Sequence, residues 1–208
     1  MSTPALAEYL DRLHVELEPG WRAEINLRAV DWVRNVARRL RRGFIILVDY
    51  GHEAPDLYGA SHSAGTLTSF TRHTSGTPAE DASVPPWLEH PGDQDITAHV
   101  DFTSVRTAAD AEGLTTIGFL DQTYFVLGLI GAQGGPTLAE GRPSMAEGRP
   151  TLSGSAPGTG HTIGFRERLA LKTLLMPGGL GSTMKVLVFG KGVGRPALAG
   201  CSYRVRVT

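Results

Sequence analysis

Apolar residues near the start of the chain change period once, and that change marks a helix passing into a strand. Val30, Val33, Val36, Ala37 and Leu40 recur at spacings of three and four, with Trp32 flanking the stripe. That is the period of one helix face. Asn26 stands where an N-cap belongs, so the spacing predicts a helix from there to about Arg42, with Gly43 as its C′ glycine. Phe44-Ile45-Ile46-Leu47-Val48 then runs without alternation into Asp49-Tyr50-Gly51. A continuous apolar run entered directly from a helix predicts a strand covered on both faces, as in a parallel sheet.

Between His52 and Gln94 periodicity is lost, and Gly, Ser, Thr, Pro and His dominate, which predicts a long irregular loop. Asp101 or Thr103 starts a short helix carrying Phe102, Val105 and Ala109, and Gly113 ends it. A strand is expected over residues 114–120, and Asp121-Gln122 opens an apolar helix to about Ile130. Residues 133–160 differ in kind. Ala139-Glu140-Gly141-Arg142-Pro143 returns as Ala146-Glu147-Gly148-Arg149-Pro150, a repeat of seven that imitates a heptad. One proline per repeat forbids a helix, since each interior proline costs about 3 kcal/mol, so the segment is a linker or surface loop. A helix over 166–176, a Pro177-Gly178-Gly179 turn and a strand over 184–189 follow. Tyr203, Val205 and Val207 alternate with Arg204 and Arg206, the period of a terminal or edge strand. Helices alternating with strands make the chain α/β.

Composition narrows the classes. The 208 residues are 41% hydrophobic and 20% charged, with a formal net charge of -1. No global basic field draws such a chain onto nucleic acid or anionic lipid. The run Arg38, Arg39, Arg41 and Arg42 is read as helix-end chemistry, each cation worth about 0.3–1 kcal/mol against the dipole. Cys201 is the sole cysteine, so no intrachain disulfide or Cys/His zinc spacing is available, in keeping with a reducing compartment. The first ten residues carry neither a basic n-region nor an apolar h-region, and no apolar run approaches the roughly 20 residues of a membrane span. A cytoplasmic protein is expected. Only Lys172, Lys185 and Lys191 are lysines, a bias towards arginine that suggests a GC-rich, bacterial genome.

Three stretches carry candidate chemistry. Gly190-Lys191-Gly192-Val193-Gly194 follows an apolar strand as a cofactor-binding turn would. However, Pro196 and Gly200 follow at once and no acidic residue lies beyond Gly194, so a β-turn is the better account. In an extended stretch Asp95, Thr97, His99 and Asp101 share one face. Two carboxylates and an imidazole there suit acid–base or substrate contact, or a divalent metal. The alternative is a loop tied down by its own side chains, with Asp101 capping the next helix for about 1 kcal/mol. Asp49, Tyr50 and His52 end the apolar strand, where open α/β sheets bind ligands, though Asp49 could equally cap a turn.

These residues also resemble a known family. Glu24-Ile25-Asn26-Leu27-Arg28-Ala29, Asp49-Tyr50-Gly51, Gly65-Thr66-Leu67 with Phe70 and His73, and the string from Pro91-Gly92 through Asp95-Ile96-Thr97-Ala98-His99-Val100-Asp101-Phe102 are similar in order and spacing to MidA-type, S-adenosylmethionine-dependent methyltransferases. So are Gln122 with Phe125-Val126-Leu127-Gly128, Leu174-Leu175-Met176-Pro177 and Lys185-Val186-Leu187.

The resemblance implies the later half of a class I methyltransferase-like (Rossmann-like) sheet, with a long irregular loop and a terminal antiparallel hairpin. It divides the chain into a partial domain over 1–132, a linker over 133–160, and a helix and hairpin over 161–208 that complete the domain. It implies S-adenosyl-L-methionine as cofactor of the complete enzyme, and a protein substrate methylated on arginine; mitochondrial members of the family act on a respiratory complex I subunit. Asp95, His99 and Asp101 would be catalytic, and Asp49, Tyr50 and His52 substrate-binding. Nothing in the chain matches the glycine-rich cofactor loop of complete members. The resemblance therefore implies a C-terminal portion that works with a separate N-terminal half or as a homo-oligomer. The alternative is a non-catalytic binding or assembly module of the same descent.

Overall fold

The structure, a computed structural model, describes residues 3–71, 74–76, 84–132, 173–175 and 180–203. It is a mixed α/β fold. Helix α1 (Pro4–Leu13) and helix α2 (Leu27–Arg39) precede strand β1 (Gly43–His52) and the single turn α3 (Ala54–Leu57). Strands β2 (Thr68–Thr71) and β3 (Thr74–Gly76), the turn α4 (Pro86–Glu89) and strands β4 (Asp95–Thr97) and β5 (Val100–Asp101) follow. Then come α5 (Phe102–Ala111), β6 (Thr115–Asp121), α6 (Gln122–Ala132), the turn α7 (Leu180–Thr183) and β7 (Met184–Lys191). One sheet has the order β5-β1-β7-β6 and a second the order β3-β2-β4.

The described residues fall into two compact units. One is drawn from Met1–Phe44, Asp49–Thr116 and Phe189–Gly192. Its core is the α2–α5 contact, where Val30, Val33 and Ala37 of the predicted stripe are buried and Val36 and Leu40 are half-buried, and where Val105, Ala108 and Ala109 are buried in turn. Both helices start on side-chain caps. Asn26 accepts from the Ala29 amide at 3.0 Å, and Asp101 accepts from the Thr103 and Ser104 amides. Two cations finish the end of α2. Lys191 Nζ donates to the Ala37 carbonyl at 2.7 Å, and Arg38 grips Glu112 through Nε at 2.9 Å and Nη2 at 2.6 Å. Arg38 and Arg39 of the arginine run stand in the last turn of α2, and Arg38 is held in a bidentate ion pair.

The second unit is drawn from Ile45–Val48, Ile117–Val188 and Val193–Thr208. Val186, Leu187 and Val188 of β7 are buried whichever way they point, as a central strand requires. Lys185 and Asp121 are buried beside them and paired at 2.6 Å, with Lys185 also donating to the Ser182 carbonyl at 3.2 Å. Phe125 of α6 lies against Gly200, where a Cβ would stand 2.4 Å from its ring, so only glycine fits.

Four expectations are corrected. Helix α2 ends at Arg39 with Leu40 as an extended C-cap, and Gly43 is the first residue of β1 rather than a C′ glycine. Strand β1 is not covered on both faces: Phe44, Ile46 and Val48 are 43%, 54% and 47% exposed. The stretch after His52 is not uniformly irregular, because its described residues carry α3, β2, β3 and α4. Asp95 and Asp101 do not share one extended strand. β4 stops at Thr97 and β5 begins at Val100, so the two carboxylates belong to different sheets. The repeat-bearing linker at 133–160, the turn at 177–179 and the end of the final alternation at 204–208 lie outside the described residues, as does all but 173–175 of the helix expected over 166–176.

A buried pair is costly to break from one side only, because the surviving charge stays out of water. Asp121→Ala should therefore destabilise the protein by about 3–5 kcal/mol. Chemical denaturation of the variant and the parent checks this, and a loss below about 1 kcal/mol, the scale of an exposed pair, would show that Lys185 escapes to solvent.

Candidate functional site

The site is set by how closely β1 approaches β5. The two strands run parallel, with Gly51 opposite Val100 and His52 opposite Asp101. Any Cβ on Gly51 would collide with the Val100 backbone, so glycine is what permits this pairing. The register brings the end of β1 beside the segment that carries His99.

Tyr50 stands edge-on to His99 with ring centroids 5.6 Å apart. His52 lies 5.2 Å from His99 and 4.7 Å from His62, and His62 lies 5.8 Å from His99. His62 comes from a 3-10 turn, Ala60–His62, and its Nδ1 meets the Asp56 carbonyl at 2.8 Å. A carbonyl only accepts, so Nδ1 carries a proton there. Burial lowers the pKa of His99, and His62 lowers it further, against the opposing pull of Glu24 and Asp49. The net effect favours the neutral ring.

The backbone of His99 is fixed from behind. Its amide donates to Thr66 Oγ1 at 3.0 Å, and that hydroxyl donates to Glu24 Oε2 at 3.0 Å. The Thr66 amide donates to the same oxygen at 2.7 Å. Gly65 precedes it at φ +83°, and a Cβ there would stand 2.5 Å from Glu24 Oε1. The left-handed backbone calls for glycine.

A cavity of about 330 Å³ opens between Glu24, Asn26, His99, Asp101, Tyr9 and Tyr58. Its floor is a hydroxyl network on the Asp101 carboxylate. Oδ2 accepts from Tyr9 at 2.6 Å, from Ser104 Oγ and from Tyr58 at 3.5 Å, while Oδ1 takes the two amides at the start of α5. Burial, and then the Asp101 carboxylate, push the Tyr9 phenol up to about 12. Burial and the Tyr9 hydroxyl raise that of Tyr58 as well.

Of the sequence candidates, Tyr50, His52 and His99 meet, and Asp49 acts on His99 through its charge. Asp49 Oδ1 also accepts from the Tyr50 amide at 2.9 Å, so the turn-capping alternative holds alongside. Asp101 spends both oxygens on the network and the helix cap. Asp95 is exposed on β4, opposite Phe70. Sequence reasoning missed His62, Glu24 and Thr66 as parts of the site. Glu24 and Thr66 lay within the strings that carry the resemblance, whereas no local spacing marks His62.

Residues 1–120 match the family described as "Putative S-adenosyl-L-methionine-dependent methyltransferase". The chain belongs to that family. It is similar over 96% of its length to a Burkholderia thailandensis protein inferred to be a methyl transferase and bound to S-adenosyl-homocysteine, at 26% identity and a TM-score of 0.69. A second solved structure, of an uncharacterized COG1565 superfamily protein from the same organism, matches over 94% at 29% identity and a TM-score of 0.68. The chain spans 44% and 46% of those two structures. No protein of curated function matches it.

A cofactor of this kind needs a glycine-rich turn that opens a helix. The turn after β7, with Gly192 and Gly194 at φ +63° and +66°, leads into coil and a 3-10 turn, Ala199–Cys201. Among the described residues that segment does not fit the cofactor.

The raised tyrosines set an alkaline limit. A phenol held above its unfolded value of about 10 contributes stability that is complete below that pH and is lost as pH climbs through the folded value. The melting temperature should be level from pH 7 to 9 and fall between pH 10 and 12, with a shallower fall in Tyr9→Phe. Scanning calorimetry across that range checks it, and equal slopes in the two proteins would remove Tyr9 as the cause.

Proposed function

We propose that this chain is the acceptor-side portion of a MidA-type, S-adenosylmethionine-dependent protein methyltransferase that modifies arginine in the bacterial cytoplasm, and that a partner polypeptide supplies the cofactor-binding strands. The observation that carries the reading is the meeting of Asp49, Tyr50, His52 and His99 at the carboxyl end of β1, within a family of methyltransferases. Open α/β sheets place their chemistry at that end.

Methyl transfer depends on in-line approach of acceptor and sulfonium, so the demand on these side chains is orientation. Asp49 is exposed and suits a guanidinium, which carboxylates bind through paired hydrogen bonds. Neutral His99 beside it is suited to take the proton that the methylated nitrogen releases. Asp95, on another sheet, suits a more distant contact with the substrate protein, and a respiratory complex I subunit is the acceptor that the family resemblance suggests. Asp101 is a positioning residue, holding β5 and α5.

One observation supports contact with further polypeptide. One apolar face of β1 stands open at Phe44, Ile46 and Val48. Apolar surface of that kind marks an interface.

Calorimetric titration of the chain with S-adenosyl-homocysteine, alongside its mass in solution, tests the division of labour. No binding is expected up to about 1 mM, whereas micromolar binding, worth about 8 kcal/mol, would mean the chain holds a complete site. In the reconstituted enzyme, Asp49→Asn should lower kcat/KM for the acceptor at least tenfold and leave cofactor affinity within twofold. Parallel losses in both would move Asp49 to the cofactor side, and unchanged kinetics would favour the non-catalytic module.

A further inference from the structure

We propose that His52, His62 and His99 form a binding site for a zinc-class dication, with three imidazole ligands and an open fourth position. One ring nitrogen from each lies within 4.8 Å of the other two. The three come from separate pieces of chain: the last residue of β1, the 3-10 turn after α3, and the link between β4 and β5. Nothing in their sequence spacing brings them together; the fold does.

Three imidazoles facing one another make a poor hydrogen-bonding arrangement. A neutral ring offers one lone pair and one N–H, and ring nitrogens turned towards each other cannot all be matched donor to acceptor. His99 in addition has a buried Nδ1 with no hydrogen-bond partner among the described residues. A dication resolves this, because it accepts lone pairs and needs no proton. Imidazole nitrogen at about 2.0–2.1 Å is a standard zinc ligand, and three protein ligands with one position open is the arrangement of catalytic zinc sites. Tetrahedral ligands stand roughly 3–3.5 Å apart at those bond lengths, so the rings need to close by about 1.5 Å.

The outer shell is of the expected kind. Ligating histidines usually donate their other N–H to a carbonyl or carboxylate, which fixes the ring and raises its basicity. His62 does so through Asp56, and the Ser61 hydroxyl lies 3.2 Å from the same nitrogen. The amide of His99 is tied through Thr66 to Glu24. Glu24 and Asp49 both act on His99 by charge, and two nearby carboxylates offset a dication without occupying its ligand positions. An all-nitrogen ligand set favours zinc, nickel or copper over magnesium or calcium, which take oxygen. The aromatic contacts alone supply a weaker reason for three histidines to gather, since they leave His99 Nδ1 unsatisfied.

The tag-free chain, stripped with chelator, is titrated with zinc chloride by calorimetry and, in parallel, followed by long-range proton–nitrogen spectra of its histidine rings. One equivalent should bind at micromolar affinity or tighter and shift the ring nitrogens of His52, His62 and His99 together, out of seven histidines in the chain. His62→Gln and His52→Gln should each weaken binding at least 100-fold, while His14→Gln leaves it unchanged. The ring spectra need no variant, so a misfolded substitution cannot hide the answer. Absence of saturable binding, or shifts confined to other histidines, would overturn the assignment. Cofactor binding is read separately; a zinc-bound His99 keeps no lone pair to take a proton, so saturable zinc binding would move the proton-accepting role away from His99 and leave the methyltransferase reading standing.

Discussion

The Asp101 carboxylate is the constraint on which the first compact unit depends. It is buried, and donors reach it from α1 through Tyr9, from the end of α3 through Tyr58, and from the first turn of α5 through two amides and Ser104. A buried carboxylate left without such donors would be strongly destabilising. With them, it fixes three helical segments around one point, and β5 is aligned with β1 at that same residue. The register that places His52 opposite Asp101 is therefore held in place by the hydrogen bonds that satisfy the carboxylate. The function-bearing end of β1 inherits its position from a helix cap.

The same residue shows why a plain reading can defeat a sharper one. Asp101 sits in a polar cluster that suggests acid–base chemistry, yet all its accepting capacity goes into architecture. Its neighbour His99, two positions earlier, has the opposite character. Its backbone is bound and its ring nitrogen is not. Polar residues two positions apart in one string thus differ in what their side chains are free to do. What separates them is whether the side chain or the main chain meets the protein's donors.

Much of the fold was legible because it rests on local rules. The stripe of α2, its Asn26 cap, the Asp101 cap of α5 and the apolar run of β7 each depend on near neighbours, and each was read from the chain. The site was legible in half. Asp49, Tyr50 and His52 are candidates because the carboxyl ends of strands are where such sheets bind ligands, a rule that needs only the strand. His62, Glu24 and Thr66 escaped because they reach the site through turns and long-range pairing, which leave no period. The expected face of Asp95, Thr97, His99 and Asp101 failed for a related reason. Alternation predicts a shared face only while the strand continues, and a break at residues 98–99 divides it between two sheets.

The open face of β1 joins these threads. A half-exposed strand is normally written in alternating apolar and polar residues, yet Phe44 to Val48 has no polar position at all. Phe44, Ile46 and Val48 are the residues that alternation would have made polar, and they are the ones that stand in solvent. At roughly 25 cal/mol per Å² of apolar surface, covering three such side chains is worth a few kcal/mol, enough to stabilise an interface. The pattern fits a strand shaped for cover on both sides. In the proposed enzyme that cover comes from the polypeptide that also brings the cofactor, so one contact would bury the apolar face and complete the methyl-transfer site.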